Sequence, residues 1–377
     1  MRVLQVLPNL ESGGVERGTL DLARELVCRG HDSLVMSNGG RLVAQLEAEG
    51  SRHVAYPVHR KSLASLFKVP GLRRRLDELA PDIIHVRSRI PAWMTWLAVG
   101  RRPRAQRPAL VSTFHGLYSV SRYSEIMGCG DRVIAISDNV RDYIEENYPR
   151  IDPARITRIH RGVDTGQFPA GFVPDAAWRD AFFSQHPRLQ GVPLLLMPGR
   201  LTRWKGQLEF LQLMALLRAA GVHCHGVIVG EGDPGKESYR EELERRVHTL
   251  GLDADITFLG HRADMAELYA VSTLVCNLSR HAEPFGRTVI EALAVGRPVL
   301  AWDEGGPAES LRACFPQGLV PKDDLQRLAD TARRFLAAPP AVNLDAGFTL
   351  QAQVEATLGV YQSLLDQRAG PLAAQRT

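Results

Sequence analysis

The chain of 377 residues is 45% hydrophobic and 23% charged, a composition typical of globular proteins and a length sufficient for two domains. None of its apolar runs approaches the roughly 20 residues that a membrane-spanning helix needs. Its five cysteines are scattered without a Cys-x-x-Cys pair, which argues against a structural zinc site and for a reducing compartment. We therefore expect a cytoplasmic protein.

The net charge of +4 conceals one strongly basic segment. Arg52–Arg107 contains thirteen Lys/Arg and three acidic residues, a net charge of +10. Such a segment indicates an anionic partner, either a phosphorylated ligand or the inner face of the cytoplasmic membrane, although a solvated basic face remains the alternative. Trp93 and Trp96 could assist at a membrane interface or pack in the core. Nucleic acid is not expected, because no recognition motif for it is present.

Short apolar runs alternate with amphipathic helices along the first half of the chain. The predicted strands are Val3–Leu7, Ser33–Ser37, His53–Pro57, Ile83–Val86, Ala109–Thr113, Arg132–Ile136 and Ile156–His160. The predicted helices are Glu16–Arg29, Arg41–Glu49, Leu72–Leu79, Ala92–Val99 and Asn139–Glu146. This alternation predicts an α/β domain with a doubly wound, mostly parallel sheet.

A proline-containing stretch without a clear strand, Gly162–Gly191, separates this domain from a second one of the same kind. Strands are predicted at Leu194–Met197, His225–Val229, Ile256–Leu259, Thr273–Leu278, Val299–Trp302 and Leu319–Val320, and helices at Ala176–Gln185, Gly206–Leu217, Tyr239–Leu250, Met265–Ala270, Leu325–Leu336 and Leu350–Gln367. We place the domains at 1–165 and 166–349, join helix 350–367 to the first domain, and expect 368–377 to be a disordered tail. Two such domains predict a ligand cleft between them.

The stretch Ser279–Gly306 places Glu283 in a loop after a buried strand, and Glu291 in a helix in which Val289, Ile290, Leu293 and Ala294 have helical spacing. A helix N-terminus at this edge of a parallel sheet favours an anionic ligand, and vicinal sugar hydroxyls suit carboxylate acceptors. Alternatively, Glu283 is a solvated loop residue and Glu291 pairs on a helix surface.

Pro198–Gly206 leaves the first strand of the second domain and carries Arg200 and Lys205. A planar guanidinium and a point charge in one loop suit a diphosphate, although solvated bases in loops are common. Gly13 and Gly14 end the first βα loop, where glycines let a ligand approach the backbone. No dinucleotide fingerprint is present.

His115 ends a predicted strand and could donate to a sugar hydroxyl, or it could be a packed histidine. His223 and His225 lack a third ligand for zinc, so no metal is expected.

These segments together resemble the retaining glycosyltransferases of family 4, which have the GT-B fold. The resembling segments, in chain order, are SGGVER, TFHG, AISDNVRDYI, RGVDTGQF, GRLTRWKG, VGEGDP and EPFGRTVIEA. The similarity covers nearly the whole chain, and it implies two Rossmann-like domains facing across a cleft. Three positions depart from the family pattern, namely Arg161, Arg287 and the Arg87 of His85-Val86-Arg87, and we expect each to add positive charge near the cleft.

The resemblance also implies roles for individual residues. Glu283 would contact donor-sugar hydroxyls and Glu291 the nucleotide ribose. Arg200 and Lys205 would hold the diphosphate with the amides around Phe285, Gly286 and Arg287, while Gly13 and Gly14 line the phosphate and acceptor side and His115 reaches the sugar. Catalysis would be assigned to His115 and Glu283. Neither a metal nor another cofactor is implied, because charged side chains and the helix dipole would stabilise the leaving nucleoside diphosphate.

The expected function is transfer of a hexose-type sugar, with retention, from a nucleotide sugar to a cell-envelope glycan, a lipid-linked acceptor or a phosphorylated acceptor, with lipopolysaccharide core as the expected pathway. A UDP-sugar is the first expectation for the donor, and GDP- and ADP-sugars are alternatives. The rival functions are a nucleotide-sugar epimerase of GT-B fold and a non-catalytic protein that binds nucleotide sugars or glycans.

Overall fold

A computed structural model describes residues 1–11, 13–232 and 238–373. The chain divides into two compact units, one comprising Met1–His160 with the chain from Gln351 onward, and the other Arg161–Leu350. Both are α/β units built on a parallel sheet, which confirms the predicted fold class. Among the described helices, none combines the length and the apolar character needed to cross a membrane.

The first unit contains, in its described residues, a sheet of seven parallel strands in the order β3-β2-β1-β4-β5-β6-β7. The strands are β1 (Arg2–Val6), β2 (Asp32–Ser37), β3 (Arg52–Ala55), β4 (Ile83–Val86), β5 (Ala109–Phe114), β6 (Arg132–Ala135) and β7 (Ile156–Arg158). The helices before the second unit are α1 (Gly14–Cys28), α2 (Val43–Ala48), α3 (Val69–Leu79), α4 (Arg89–Thr95) and α5 (Asp138–Asn147). The strand order reverses between β1 and β4, as in a Rossmann fold.

Apolar spacing explains these elements. Leu20, Ala23 and Leu26 recur on one face of α1 and are buried. The central strands β4 and β5 are buried along their whole length, as expected for strands covered by helices on both faces.

The second unit repeats the plan with six described parallel strands in the order β10-β9-β8-β11-β12-β13. The strands are β8 (Leu194–Pro198), β9 (His225–Val229), β10 (Ile256–Gly260), β11 (Leu274–Asn277), β12 (Val299–Trp302) and β13 (Leu319–Val320). The helices are α6 (Ala176–Gln185), α7 (Gln207–Ala219), α8 (Ser238–Thr249), α9 (Met265–Val271), α10 (Arg287–Val295), α11 (Gly305–Cys314) and α12 (Leu325–Ala337). Here the order reverses between β8 and β11.

Helix α11 was not predicted from the sequence. It begins with Gly305, Gly306 and Pro307, a combination that reads as a turn because glycine and proline interrupt regular structure. Proline is nevertheless compatible with the first turn of a helix, where its missing N–H has no intrahelical partner to lose.

The terminal helix α13 (Leu350–Ala373) returns to the first unit from Gln351 onward. Its Tyr361 hydroxyl lies 2.6 Å from Nδ1 of the buried His85, whose Nε2 lies 2.6 Å from the Thr113 hydroxyl. Burial lowers the pKa of His85 well below its usual value. The tail was expected at 368–377; α13 is assigned to Ala373, and 374–377 lie outside the described residues.

Candidate functional site

The candidate site lies in the second unit, at the carboxyl ends of β8 and β11. These two strands are neighbours, but the chain continues from β8 to β9 on one side, whereas β12 lies on the other side of β11. The loops that leave β8 and β11 therefore diverge at the point where the strand order reverses. In open α/β sheets, this is where ligands bind.

The loop after β8 is fastened to the loop after β11. A short 3₁₀ turn, Arg203–Lys205, is followed by Gly206, which has φ of 82° and immediately precedes α7. A Cβ at Gly206 would overlap the carbonyl oxygen of Leu278, so this position requires glycine both for its conformation and for the close approach. The Arg280 N–H also donates to the Trp204 carbonyl at 2.8 Å.

Lys205 and Glu283 meet at this edge. The Lys205 ammonium lies 2.8 Å from Oε1 of Glu283, with the lysine side chain 19% and the glutamate side chain 8% exposed. The same oxygen accepts a hydrogen bond from Asn277 Nδ2 at 3.2 Å and another from the Ser279 hydroxyl. One carboxylate oxygen thus holds three donors, and the carboxylate is fixed in place by its own unit.

The backbone of the Glu283 loop is supported by the start of α11. The Gly306 N–H donates to the Glu283 carbonyl at 2.9 Å. A Cβ at Gly306 would overlap the Cα of Phe285, so a larger residue there would push the loop away. Phe285 is itself buried, and its ring centroid lies 6.4 Å from that of Phe348. The loop is therefore held by packing as well as by hydrogen bonds.

Helix α10 continues the chain from this loop. Gly286 precedes it in the left-handed conformation, with φ of 87°, and Arg287 is its first residue. Four residues on, the buried Glu291 pairs with the Arg287 guanidinium at 3.2 Å and accepts the Tyr269 hydroxyl at 3.0 Å. Burial and the neighbouring Glu291 raise the pKa of Tyr269 well above its usual value, so this phenol stays protonated and acts as a donor.

The structure also places the two other basic residues that were predicted at this edge. Arg287 does not add an unpaired charge, because Glu291 neutralises it one helical turn away. Arg200 lies exposed in the loop after β8, and its carbonyl accepts a hydrogen bond from Gln207 Nε2 at 3.0 Å. The structure thus brings Lys205 and Glu283 together in one cluster and Arg287 and Glu291 in another.

The remaining predicted residues lie in the first unit. Gly13, in extended conformation, precedes Gly14, which begins α1; the neighbouring Ser12 lies outside the described residues. His115 directly follows β5 and is half-buried, and its backbone N–H donates to the Tyr118 hydroxyl at 3.4 Å. Both segments lie at carboxyl ends of central strands of the first sheet, as predicted.

Several arginines of the basic segment Arg52–Arg107 bind partners within the first unit. Arg102 and Asp77 form two hydrogen bonds of 2.6 and 2.9 Å, and Arg107 forms two of 2.8 Å with Asp131. Arg87 is buried and donates to Gln5 at 2.8 Å, and burial lowers its pKa to about 10. Arg87 therefore remains a cation at neutral pH, but it lies inside the first unit rather than on its surface.

Sequence reasoning missed the residues that position the two glutamates. Asn277 and Ser279 flank the end of β11, and Tyr269 lies in α9. The available signal was the presence of polar residues directly at the carboxyl end of an otherwise apolar strand. No pattern in the sequence identifies Tyr269 or Gly306 as a partner of this loop, since both contacts depend on tertiary packing.

Comparison with known proteins agrees with this architecture. The model of Glycosyltransferase Family 4 matches residues 12–167, and the model of Glycosyl transferases group 1 matches residues 179–348. The chain is 27% identical over 246 residues to the lipopolysaccharide core biosynthesis mannosyltransferase LpsB of Rhizobium meliloti (strain 1021), a match that covers 62% of this chain. The chain spans between 59% and 66% of the length of the first three curated relatives that it matches.

Solved structures share the fold over almost the whole chain. A glycosyltransferase from Rickettsia africae ESF-5 has a TM-score of 0.81 at 27% identity, covering 97% of this chain and 98% of that one. Anabaena Alr3699/HepE, solved in complex with UDP and glucose, has a TM-score of 0.71 at 22% identity and covers 99% of this chain and 100% of that one. The two family models together match most of the sequence, one on each unit, and the chain belongs to the family 4 glycosyltransferases of GT-B fold.

Proposed function

We propose that the protein transfers a sugar from a nucleotide-sugar donor, and that the donor binds in the second unit at the ends of β8 and β11. The observation that carries the proposal is the Lys205–Glu283 pair, 2.8 Å apart and held by Asn277 and Ser279 at the point where the strand order reverses. A nucleotide sugar offers a partner to each member of this pair: an anionic diphosphate for Lys205 and neutral hydroxyl donors for Glu283.

Glu283 is suited to the sugar end of the donor. Its carboxylate already accepts one hydroxyl, that of Ser279, and an ionised carboxylate acts only as an acceptor. A sugar hydroxyl is a donor of the same kind. Because Lys205 and Asn277 fix the carboxylate before the donor arrives, little side-chain freedom is lost when the sugar binds. We assign Glu283 to orientation of the transferred sugar.

Lys205 is suited to the diphosphate. It can interact with a phosphate oxygen while staying next to Glu283, and the start of α10 supplies backbone amides and the positive end of a helix dipole. Arg200, on the same loop as Lys205, adds a guanidinium fork. These groups would stabilise the charge that develops on the departing nucleoside diphosphate. We therefore propose transfer without a metal ion or other cofactor.

Glu291 is suited to the ribose. It is buried and oriented by Tyr269 and Arg287, so its position is set by α9 and α10 rather than by the ligand. A ribose hydroxyl could donate to the Glu291 carboxylate while Arg287 stays paired with the same carboxylate. Arg287 would then affect donor affinity through Glu291 and not as an additional phosphate ligand.

For the first unit we propose that Gly13 and Gly14 line the phosphate and acceptor side and that His115 acts on the sugar, as the family resemblance implies. The leaving phosphate would take the acceptor proton, with retention of anomeric configuration. LpsB supports a cell-envelope acceptor of the lipopolysaccharide-core type and a hexose as the transferred sugar. HepE shows that a protein of this fold accommodates UDP and glucose, which supports a UDP-sugar as the first donor to test.

The experiment is a thermal-shift panel of UDP-, GDP- and ADP-sugars, followed by turnover of the stabilising donor with core oligosaccharide in buffer containing EDTA. A ligand at 100 times its Kd stabilises by about 2.7 kcal/mol, a readily measured shift. We expect one nucleotide class to stabilise the protein and the product to keep the donor's anomeric configuration by NMR. Free epimerised sugar, or binding without any transfer, would overturn the proposal.

Glu283→Gln keeps the size of the side chain but removes its charge. Loss of one preorganised electrostatic contact typically lowers kcat by about 10²–10³-fold. The matched control is Glu244→Gln, also in the second unit, whose exposed carboxylate pairs with Arg240 on the surface of α8. The control should retain wild-type kcat, and equal activity of both variants would remove Glu283 from the site.

A further inference from the structure

The first unit contains an apolar pocket that the transfer reaction does not use. It has a volume of about 460 Å³, within the about 300–1,000 Å³ range of small-molecule sites. Its apolar lining comes from the 3₁₀ turn Leu63–Lys68 and the helices α3 and α4 with the turn after α4: Leu66, Val69, Ile90, Trp93, Met94 and Leu97. Tyr123 closes it from a separate loop.

Polar groups in the wall are turned to protein partners. The Trp93 indole N–H donates to the Tyr123 carbonyl at 3.0 Å, and the Ser65 hydroxyl donates to the Arg60 carbonyl at 2.7 Å. What faces the pocket is therefore mainly hydrocarbon and aromatic ring, which favours an apolar occupant over a sugar or a nucleotide.

The mouth of this pocket combines apolar and basic residues. Leu66, which lines the pocket, is 52% exposed, and Phe67, the next residue in the chain, is 87% exposed. Arg60 and Lys61 line the same pocket, and the Lys61 ammonium lies 4.2 Å above the Tyr123 ring. An apolar cavity with cations at its rim complements one class of ligand, an anionic amphiphile whose chain enters the pocket and whose headgroup meets the bases.

We propose that this pocket holds one hydrocarbon chain of an anionic membrane lipid, with Phe67 inserted beside it into the bilayer surface and Arg60 and Lys61 at the headgroup. Charge attraction brings basic residues to an anionic surface, and one buried chain supplies the second signal that stable anchoring requires. The inference rests on the proposed cell-envelope acceptor, but lipid binding in this pocket does not depend on the transfer reaction.

The test uses the full-length protein and vesicles of phosphatidylglycerol with brominated acyl chains, with unbrominated vesicles as reference. Bromine quenches tryptophan only at short range, so Trp93 reports entry of a chain. Trp96 lies 6.1 Å from Trp93 and serves as the internal comparison. We expect quenching that weakens at high salt and that Trp93→Phe reduces more than Trp96→Phe does. Equal loss of quenching in the two variants, or equal binding to brominated phosphatidylcholine, would overturn the proposal.

The matched variants are Leu66→Glu and Val120→Glu, because both side chains are more than half exposed in the first unit, at 52% and 59%. Leu66→Glu places a carboxylate at the mouth and should lower the partition constant at least tenfold, whereas Val120→Glu should not change it. Equal partitioning of the two variants contradicts the proposal.

A second measurement uses lysophosphatidylglycerols of increasing chain length below their micelle concentrations. Affinity should rise about fourfold per methylene until the pocket is full, and a flat series argues against chain burial. Since no assay here contains a donor sugar, failure of this inference and failure of the transfer proposal are distinguishable.

Discussion

Lys205→Met tests the ion pair between Lys205 and Glu283, because it removes the ammonium group and leaves the Glu283 carboxylate buried. Removing one partner of a buried pair costs about 3–5 kcal/mol. The Lys205 side chain is 19% exposed, and Asn277 and Ser279 still donate to the carboxylate, so the lower end applies, about 3 kcal/mol. For a unit the length of Arg161–Leu350 this lowers Tm by about 6–12 °C.

Calorimetry of the ligand-free protein measures this effect, and a Lys→Met change elsewhere in the same unit controls for it. Lys322 pairs with Glu304 at 2.7 Å, but both side chains are about one-third exposed, at 35% and 34%. Such a pair contributes about 0–1 kcal/mol, so Lys322→Met should shift Tm by less than about 4 °C. The double variant Lys205→Met/Glu283→Gln should recover much of the loss, because no buried charge is left unpaired. If Lys205→Met and Lys322→Met lower Tm equally, the pair does not fix the site.

Three further predictions concern packing and protonation. Gly306→Ala should destabilise the second unit and weaken donor binding, because the new methyl group overlaps the Phe285 backbone. The control Gly359→Ala lies in α13 with open space around it and should raise stability by about 0.5–1 kcal/mol. Equal changes in Tm for the two variants would contradict the packing argument. Tyr361→Phe should cost about 1–3 kcal/mol in the first unit, because buried His85 loses a partner, and an unchanged unfolding transition would argue against that hydrogen bond. Because the pKa of His85 is lowered in the folded protein, the unfolded chain binds the proton more readily. The stability that neutral His85 contributes is therefore complete above about pH 6.5 and is lost as pH falls, by up to about 1.4 kcal/mol per pH unit. Chemical unfolding of the wild type and of His85→Gln across pH 5–7 measures how the free energy of unfolding depends on pH, and the same dependence in both proteins would contradict the prediction.

The alternation of apolar runs predicted the parallel sheets because each strand is short, apolar and bounded by turn residues. Strands such as His225–Val229 and Val299–Trp302 are found at their predicted limits. Helix α11 escaped prediction because Gly305, Gly306 and Pro307 are turn residues by local propensity, and only contact with the Glu283 loop explains them. Local propensity does not reveal such a contact.

The charged residues show the same limit. The sequence placed Lys205 and Glu283 in loops that leave strand ends of the same predicted sheet. It did not indicate that the two residues form a pair or that Asn277 and Ser279 hold it. Arg287 was expected to add charge, whereas the spacing of four residues to Glu291, visible in the sequence, already indicated an ion pair. Counting charges is therefore less informative than asking which charges helical spacing can pair.

The most direct test of the account is calorimetric titration of UDP-glucose into wild-type protein, Lys205→Met and Lys322→Met, with GDP-mannose and ADP-glucose titrated alongside. A hydrogen bond to a charged group contributes about 1.5–3 kcal/mol, so Lys205→Met should weaken binding of the preferred donor by about 10- to 150-fold. Lys322→Met should bind as the wild type does. Equal Kd values in all three proteins, or no binding of any of the three donors to the wild type, would contradict a nucleotide-sugar site built on Lys205 and Glu283.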